Sequence, residues 1–172
     1  MKMSKTLFPA ALAGAVVYCS LAIAKPPAGP KSDAAFLAMA AQADMTMAHI
    51  GKMAQERAAT VEVKDFAGTL VRDHTSDYER LTALAAKVGD SVPKSIDERN
   101  RRTINELGQR RGKTFDHDFL NRQSAEHEKL INAYKWEAEH GATPAIRGYA
   151  SNALATIERH LHDAENLLKQ RV

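Results

Sequence analysis

Apolar residues recur at helical spacing along four long stretches of the chain. In LVRDHTSDYERL, residues 70–81, His74 and Asp77 share one face of a helix with the flanking leucines, because the steps between them are four, three and four. No alternating strand pattern appears beside this helical spacing, which predicts an all-α fold. The predicted long helices cover residues 33–59, 61–88, 114–140 and 144–170.

Turn and capping residues separate these helices. Thr60 and the pair Thr143-Pro144 are predicted to cap the second and fourth helices, and Gly141 to end the third. Residues 90–113 form a polar connector with a short helix predicted over 97–109. Helices of about 27 residues, each about 40 Å long, predict a four-helix bundle. The connector could join neighbouring helix ends or cross the length of the bundle, so the helix order stays open.

The two halves of the chain correspond when one is shifted by 83 residues. The corresponding pairs are Phe36-Leu37 with Phe119-Leu120, Thr60 with Thr143, and Phe66-Ala67 with Tyr149-Ala150. This internal repeat predicts that the bundle consists of two related helical hairpins joined by the long connector.

Five polar residues are predicted to meet inside the bundle. Asp44, Asp77, His127 and His160 each lie 16 or 17 residues from a hairpin turn, and His74 lies about one turn, or ~4.5 Å, nearer to its own turn. Imidazole nitrogen and carboxylate oxygen suit one transition-metal ion, either zinc, copper or iron. Two carboxylates are too few for an ordinary di-iron site. The favoured interpretation is a buried network in which histidine and aspartate satisfy one another, and the metal site is the alternative.

The first 24 residues are predicted to be a cleaved signal peptide. Lys2 and Lys5 precede an apolar run that ends in the small-x-small pattern before cleavage after Ala24; a membrane anchor is the alternative interpretation. Residues 25–32 form a Pro/Gly-rich tether, and 33–170 form a single domain. Cleavage also removes Cys19, so the mature chain contains no cysteine, and we expect a periplasmic or secreted protein.

Four segments of the chain resemble a known bacterial family. They are FLAMAAQADM, VKDFAGTLVRDHTSDYERL, FDHDFLNRQSAEHEKL and IRGYASNALATIERHLHDAENLL. Together they are similar to the ferritin-like family called domain of unknown function 4142, from Asp33 to Gln170. The resemblance implies a ferritin-like fold and an exported location, and it matches His74, His127 and His160 with family histidines. Met47 stands where the family commonly has glutamate, which argues against inherited di-iron chemistry.

These observations leave two main functional hypotheses. The favoured one is a non-catalytic, exported ferritin-like bundle that acts in the cell envelope as a binding or stress-protective protein. The other is a protein that binds, or oxidises, a transition-metal ion at the polar layer. No enzyme motif was found, and the oligomeric state is not indicated. Without Lys2 and Lys5 the chain has 22 basic and 21 acidic residues, so no nucleic-acid partner is expected.

Two smaller features carry weaker alternatives. Met45, His49 and Met53 recur every four residues and could bind Cu(I), although methionine more often fills gaps in packing. The connector is rich in arginine and could contact a membrane surface or other envelope components, although a solvated helix with local ion pairs gives the same pattern.

Overall fold

A computed structural model describes residues 29–170, and this part of the chain contains five helices and no strand. The helices are α1 Asp33–Arg57, α2 Val61–Lys87, α3 Glu98–Gly108, α4 Gly112–His140 and α5 Pro144–Lys169. The predicted all-α class is confirmed, and each boundary lies within two residues of its prediction. The predicted signal peptide lies outside the described residues. Within them, none of the helices combines the length and apolar character needed to cross a membrane.

Side chains cap only some of the helices. The Ser32 hydroxyl accepts a hydrogen bond from the Ala35 amide at the start of α1, and Asp97 accepts one from Asn100 at the start of α3. Thr60 and Thr143 occupy the predicted N-cap positions, but neither side chain accepts a capping hydrogen bond. The positions were therefore predicted correctly, and the expected capping bond was wrong.

The four long helices pack in pairs. Helix α1 packs along α2, and α4 along α5, while α1 also contacts α4 and α2 contacts α5. The connector follows α1: Gln42 donates a hydrogen bond to the Ser95 carbonyl, and Arg57 donates one to the Gly108 carbonyl. Gln42 lies in the first half of α1 and Arg57 is its last residue, while Val92, near the start of the connector, packs in one apolar cluster with Phe36 at the start of α1. The connector therefore crosses the length of the molecule, which decides between the two paths that the sequence left open.

Two aspartates tie each helical pair to the turn of the other pair. The Asp116 carboxylate, at the start of α4, accepts hydrogen bonds from the Ala59 amide and the Thr60 hydroxyl. The Asp33 carboxylate, at the start of α1, accepts bonds from the Ala142 and Thr143 amides. Asp33 and Asp116 are 83 residues apart, as are Ala59 and Ala142. The contacts thus repeat with the offset found in the sequence.

Buried polar residues separate two apolar clusters. One cluster contains Phe66, Phe115 and Phe119 near the α1–α2 turn, and the other contains Phe36 and Tyr134 near the α4–α5 turn. On each of the four long helices, the residues of this polar layer lie in sequence between members of the two clusters: Asp44 on α1, His74 and Asp77 on α2, Gln123 and His127 on α4, and His160 on α5. The apolar clusters supply the favourable burial energy that holds the polar layer in place.

Candidate metal centre

Three histidines from three different helices converge in the polar layer. His74 of α2, His127 of α4 and His160 of α5 are 5%, 0% and 1% exposed. Each follows the inward-facing spacing of its helix, which is why the chain buries polar rings there. The ring centroids are 5.3 to 5.6 Å apart, and one nitrogen of each ring lies within 4.8 Å of the other two.

The outer nitrogen of each ring has a hydrogen-bond acceptor. His74 Nδ1 lies 2.9 Å from Asp44 Oδ1, and His127 Nδ1 lies 2.8 Å from the Gln123 carbonyl oxygen. His160 Nε2 lies 3.0 Å from Asp73 Oδ2. Carbonyl and carboxylate oxygens only accept hydrogen bonds, so each outer nitrogen is the donor of its contact. In the neutral form of such a ring, the inner nitrogen is left with a lone pair.

The inner nitrogens of the three rings form no hydrogen bonds within the described part of the chain. His74 Nε2, His127 Nε2 and His160 Nδ1 are buried and have no partner among the described residues. Three buried nitrogens without hydrogen-bond donors, on rings this close together, form an environment that favours a cation. In an equilateral triangle whose sides equal the 4.8 Å upper limit, the centre is about 2.8 Å from each corner, so shifts of at most about 0.7 Å would give zinc–nitrogen distances near 2.1 Å.

Burial keeps the rings of His127 and His160 in the neutral form that binds metals. Loss of hydration lowers the pKa of His127 to about 3, and the neighbouring His74 contributes in the same direction. Burial likewise lowers the pKa of His160 to about 4, against the opposing effect of its hydrogen bond to Asp73. Burial raises the pKa of Asp44 to about 6. At neutral pH no proton competes for the inner nitrogens of His127 and His160.

The structure does not bring the two predicted carboxylates to the inner nitrogens. Asp44 contacts His74 from behind, through the outer nitrogen. Asp77 lies at the edge of the layer, where its carboxylate is 2.7 Å from the Arg80 guanidinium, one turn along the same helix. Among the described residues, the potential ligands that cluster closely are therefore the three histidines alone. Asp44 takes the place of an orienting partner.

Sequence reasoning missed two of the groups that hold the rings. The Asp73 carboxylate accepts a hydrogen bond from His160 and another from Arg159, 2.9 Å away. The only sequence feature that could have indicated this role is the position of Asp73 directly before His74. Burial opposes ionisation of Asp73, but the hydrogen bond from His160 and the nearby positive charges of Arg72 and Arg159 together outweigh burial and keep the pKa of Asp73 below its ordinary value. The partner of His127 is a backbone carbonyl four residues earlier, a group that every helical residue has, so no sequence signal marks it.

Comparison with known proteins assigns the family. The family model described as Domain of unknown function (DUF4142) matches residues 20–167. The chain belongs to DUF4142. The resemblance found in the sequence is thereby confirmed, although the family description gives a DUF4142 protein no reaction or ligand. No curated protein and no solved structure matches this chain.

Proposed function

We propose that this DUF4142 protein binds one divalent transition-metal ion through the inner nitrogens of His74, His127 and His160. The observation that carries the proposal is the convergence of three buried lone pairs, each directed by a hydrogen bond on the far side of its ring. A metal-binding histidine typically donates a hydrogen bond from the ring nitrogen that does not bind the metal. A self-satisfied polar network would instead pair the inner nitrogens with donors.

The donor set favours zinc or copper. Imidazole nitrogen binds both ions well, and copper binds such sites more tightly than zinc. Non-haem iron sites commonly combine two histidines with a carboxylate, and no carboxylate joins this cluster. Three histidine ligands leave a fourth position of tetrahedral zinc for water or another group. Iron is therefore the least favoured of the three ions considered from the sequence.

The burial of the histidine cluster favours metal binding without catalysis. All three imidazoles are 5% exposed or less, so a substrate would have no direct access to the ion.

We further propose that α1, α2, α4 and α5 form a ferritin-like four-helix bundle of two hairpins, which their pairwise packing supports. Such a bundle would supply ligands from rigid supports, as bundle metal sites do.

We propose that the protein works in the periplasm as a metal-binding or stress-protective protein. The support for this location is the charged start, apolar run and Ala24 cleavage pattern of residues 1–24. In that setting, tight binding of a transition ion without turnover would withhold it from unwanted reactions in the cell envelope.

Metal content of the purified protein tests the proposal. Protein stripped with a chelator and reloaded with Zn²⁺ or Cu²⁺ is expected to retain one equivalent after desalting, measured by elemental mass spectrometry. His127→Ala is expected to retain less than about a tenth of that amount, because it removes a ligand. The matched control is His162→Ala, which removes an exposed histidine on α5 and should retain the full equivalent.

Thermal unfolding distinguishes loss of the site from loss of the fold. A folded His127→Ala variant should keep a cooperative transition that added metal no longer shifts, whereas metal should raise the transition of the original protein. Original protein that takes up no metal would contradict the proposal, as would equal retention by the original protein and a folded His127→Ala variant.

A further inference from the structure

A half-open groove runs between α1, α3 and α4. Its volume is about 740 Å³, and none of the three clustered histidines lines it. Apolar side chains form most of its floor, including those of Ala43, Met47, Ile50, Leu130 and Ala133. The groove is therefore a second concave surface, separate from the metal centre, with the composition of a site for an apolar ligand.

The groove is elongated. Met39, Lys129 and Ala133 line it and also line a second depression that continues past Ala35 to Gly29 and Pro30. From Ala35 to Ile50 the floor extends about 22 Å at the helical rise per residue, close to the length of an extended acyl chain of about 16 carbons. This shape fits a single chain better than a compact ring system.

Charges along the two walls favour an anion. Arg99 of α3 and Arg122 of α4 line the groove, and neither forms an ion pair within residues 29–170. The acidic residues of the rim are already engaged: Glu126 pairs with Lys129 at 2.8 Å, and Asp97 caps α3. Guanidinium groups bind carboxylates through paired hydrogen bonds, and here both lie beside an apolar floor.

We propose that this groove binds a long-chain fatty-acid anion. The acyl chain lies on the apolar floor between α1 and α4, and the carboxylate is bound by Arg99 and Arg122. This ligand class combines the two features that the groove offers, namely a long apolar surface and uncompensated positive charge at its edge. The proposal uses no residue of the histidine cluster and is independent of metal binding.

Binding of hexadecanoate to the purified protein tests the proposal. Below its aggregation concentration, hexadecanoate should displace a fluorescent fatty acid with a stoichiometry of one. The double variant with Arg99→Gln and Arg122→Gln should bind at least about tenfold more weakly, because two charge-assisted contacts are lost. Ala43→Trp should abolish binding by filling the groove, and circular dichroism checks that it folds.

A control on the same helix makes the test specific. Arg102→Gln removes an arginine of α3 that pairs with Glu98 and does not line the groove, so its affinity should equal that of the original protein. All of these variants should still retain one equivalent of metal if that separate proposal holds. Hexadecyltrimethylammonium, with the same chain and the opposite charge, should bind at least about tenfold more weakly than hexadecanoate.

Three results would overturn the proposal. The first is no saturable binding of hexadecanoate. The second is equal affinity of the double variant, or of the cationic amphiphile, which would indicate a non-specific apolar surface. The third is binding that appears only after residues 25–28 are removed, which would identify that segment as the occupant of the groove.

Discussion

At the scale of single residues, each histidine of the cluster uses its two nitrogens differently. The outer nitrogen donates a hydrogen bond to an oxygen of Asp44, Gln123 or Asp73. This bond determines which of the two nitrogens in each ring is free to bind a metal ion. Burial then keeps the rings of His127 and His160 neutral at physiological pH. Ligand orientation and ligand protonation thus have separate physical causes, the first a hydrogen bond and the second loss of hydration.

The two buried aspartates that sequence analysis treated alike should behave differently when mutated. Asp44→Ala removes the partner that orients His74 and is expected to weaken metal binding about 10- to 100-fold. Asp77→Ala breaks an ion pair with the largely exposed Arg80 and should change the affinity less than about threefold. Competition titrations with a chromophoric chelator measure both variants. Equal losses would contradict the different roles assigned to these carboxylates.

At the scale of helices, the turns are held by residues distant in the chain. Asp116 is fully buried and accepts hydrogen bonds from the α1–α2 turn, and Asp33 does the same for the α4–α5 turn. Because each bond joins one helical pair to the other, these contacts oppose separation of the pairs as well as fraying of the turns. The internal repeat therefore has a structural counterpart in these two aspartates.

Removing one of these turn contacts should cost measurable stability. Asp116→Ala leaves the Ala59 amide and the Thr60 hydroxyl without this acceptor and is expected to lower the free energy of unfolding by about 2 kcal/mol. Asp118→Ala, two residues away, breaks only a surface ion pair with Arg110 and should cost less than about 0.5 kcal/mol. Urea denaturation of both variants provides the comparison. Similar values for the two would show that the buried contact contributes little.

At the scale of the whole molecule, a buried carboxyl group links stability to pH. Glu137, near the end of α4, is fully buried, and burial together with the nearby Asp33 raises its pKa to about 7 from an ordinary value of 4.5. Between these two values the folded protein binds more protons at this position than the unfolded chain does. This contribution to stability is therefore complete below about pH 4.5 and is lost as the pH rises through 7.

Replacing Glu137 by its uncharged isostere should remove this dependence. Relative to Glu137→Gln, the original protein is expected to lose about 2 to 3 kcal/mol of unfolding free energy between pH 4.5 and pH 8. Urea denaturation of chelator-treated protein at several pH values measures the difference. His127 and His160 have lowered pKa values in both proteins, so their effect cancels in the comparison. Parallel pH profiles would contradict the raised pKa of Glu137.

The sequence alone determined the helices and the height of the polar layer. Apolar spacing, turn residues and a constant rise per residue act locally, so they fixed the five helices within two residues and placed His74, His127 and His160 near mid-height. Tertiary structure decided the path of the connector along α1, the pairing of Asp44 with His74 and of Asp73 with His160, and the nitrogens that face inward. These features depend on how helices distant in the chain rotate and pack against one another. The spacing of apolar residues within one helix does not determine that rotation.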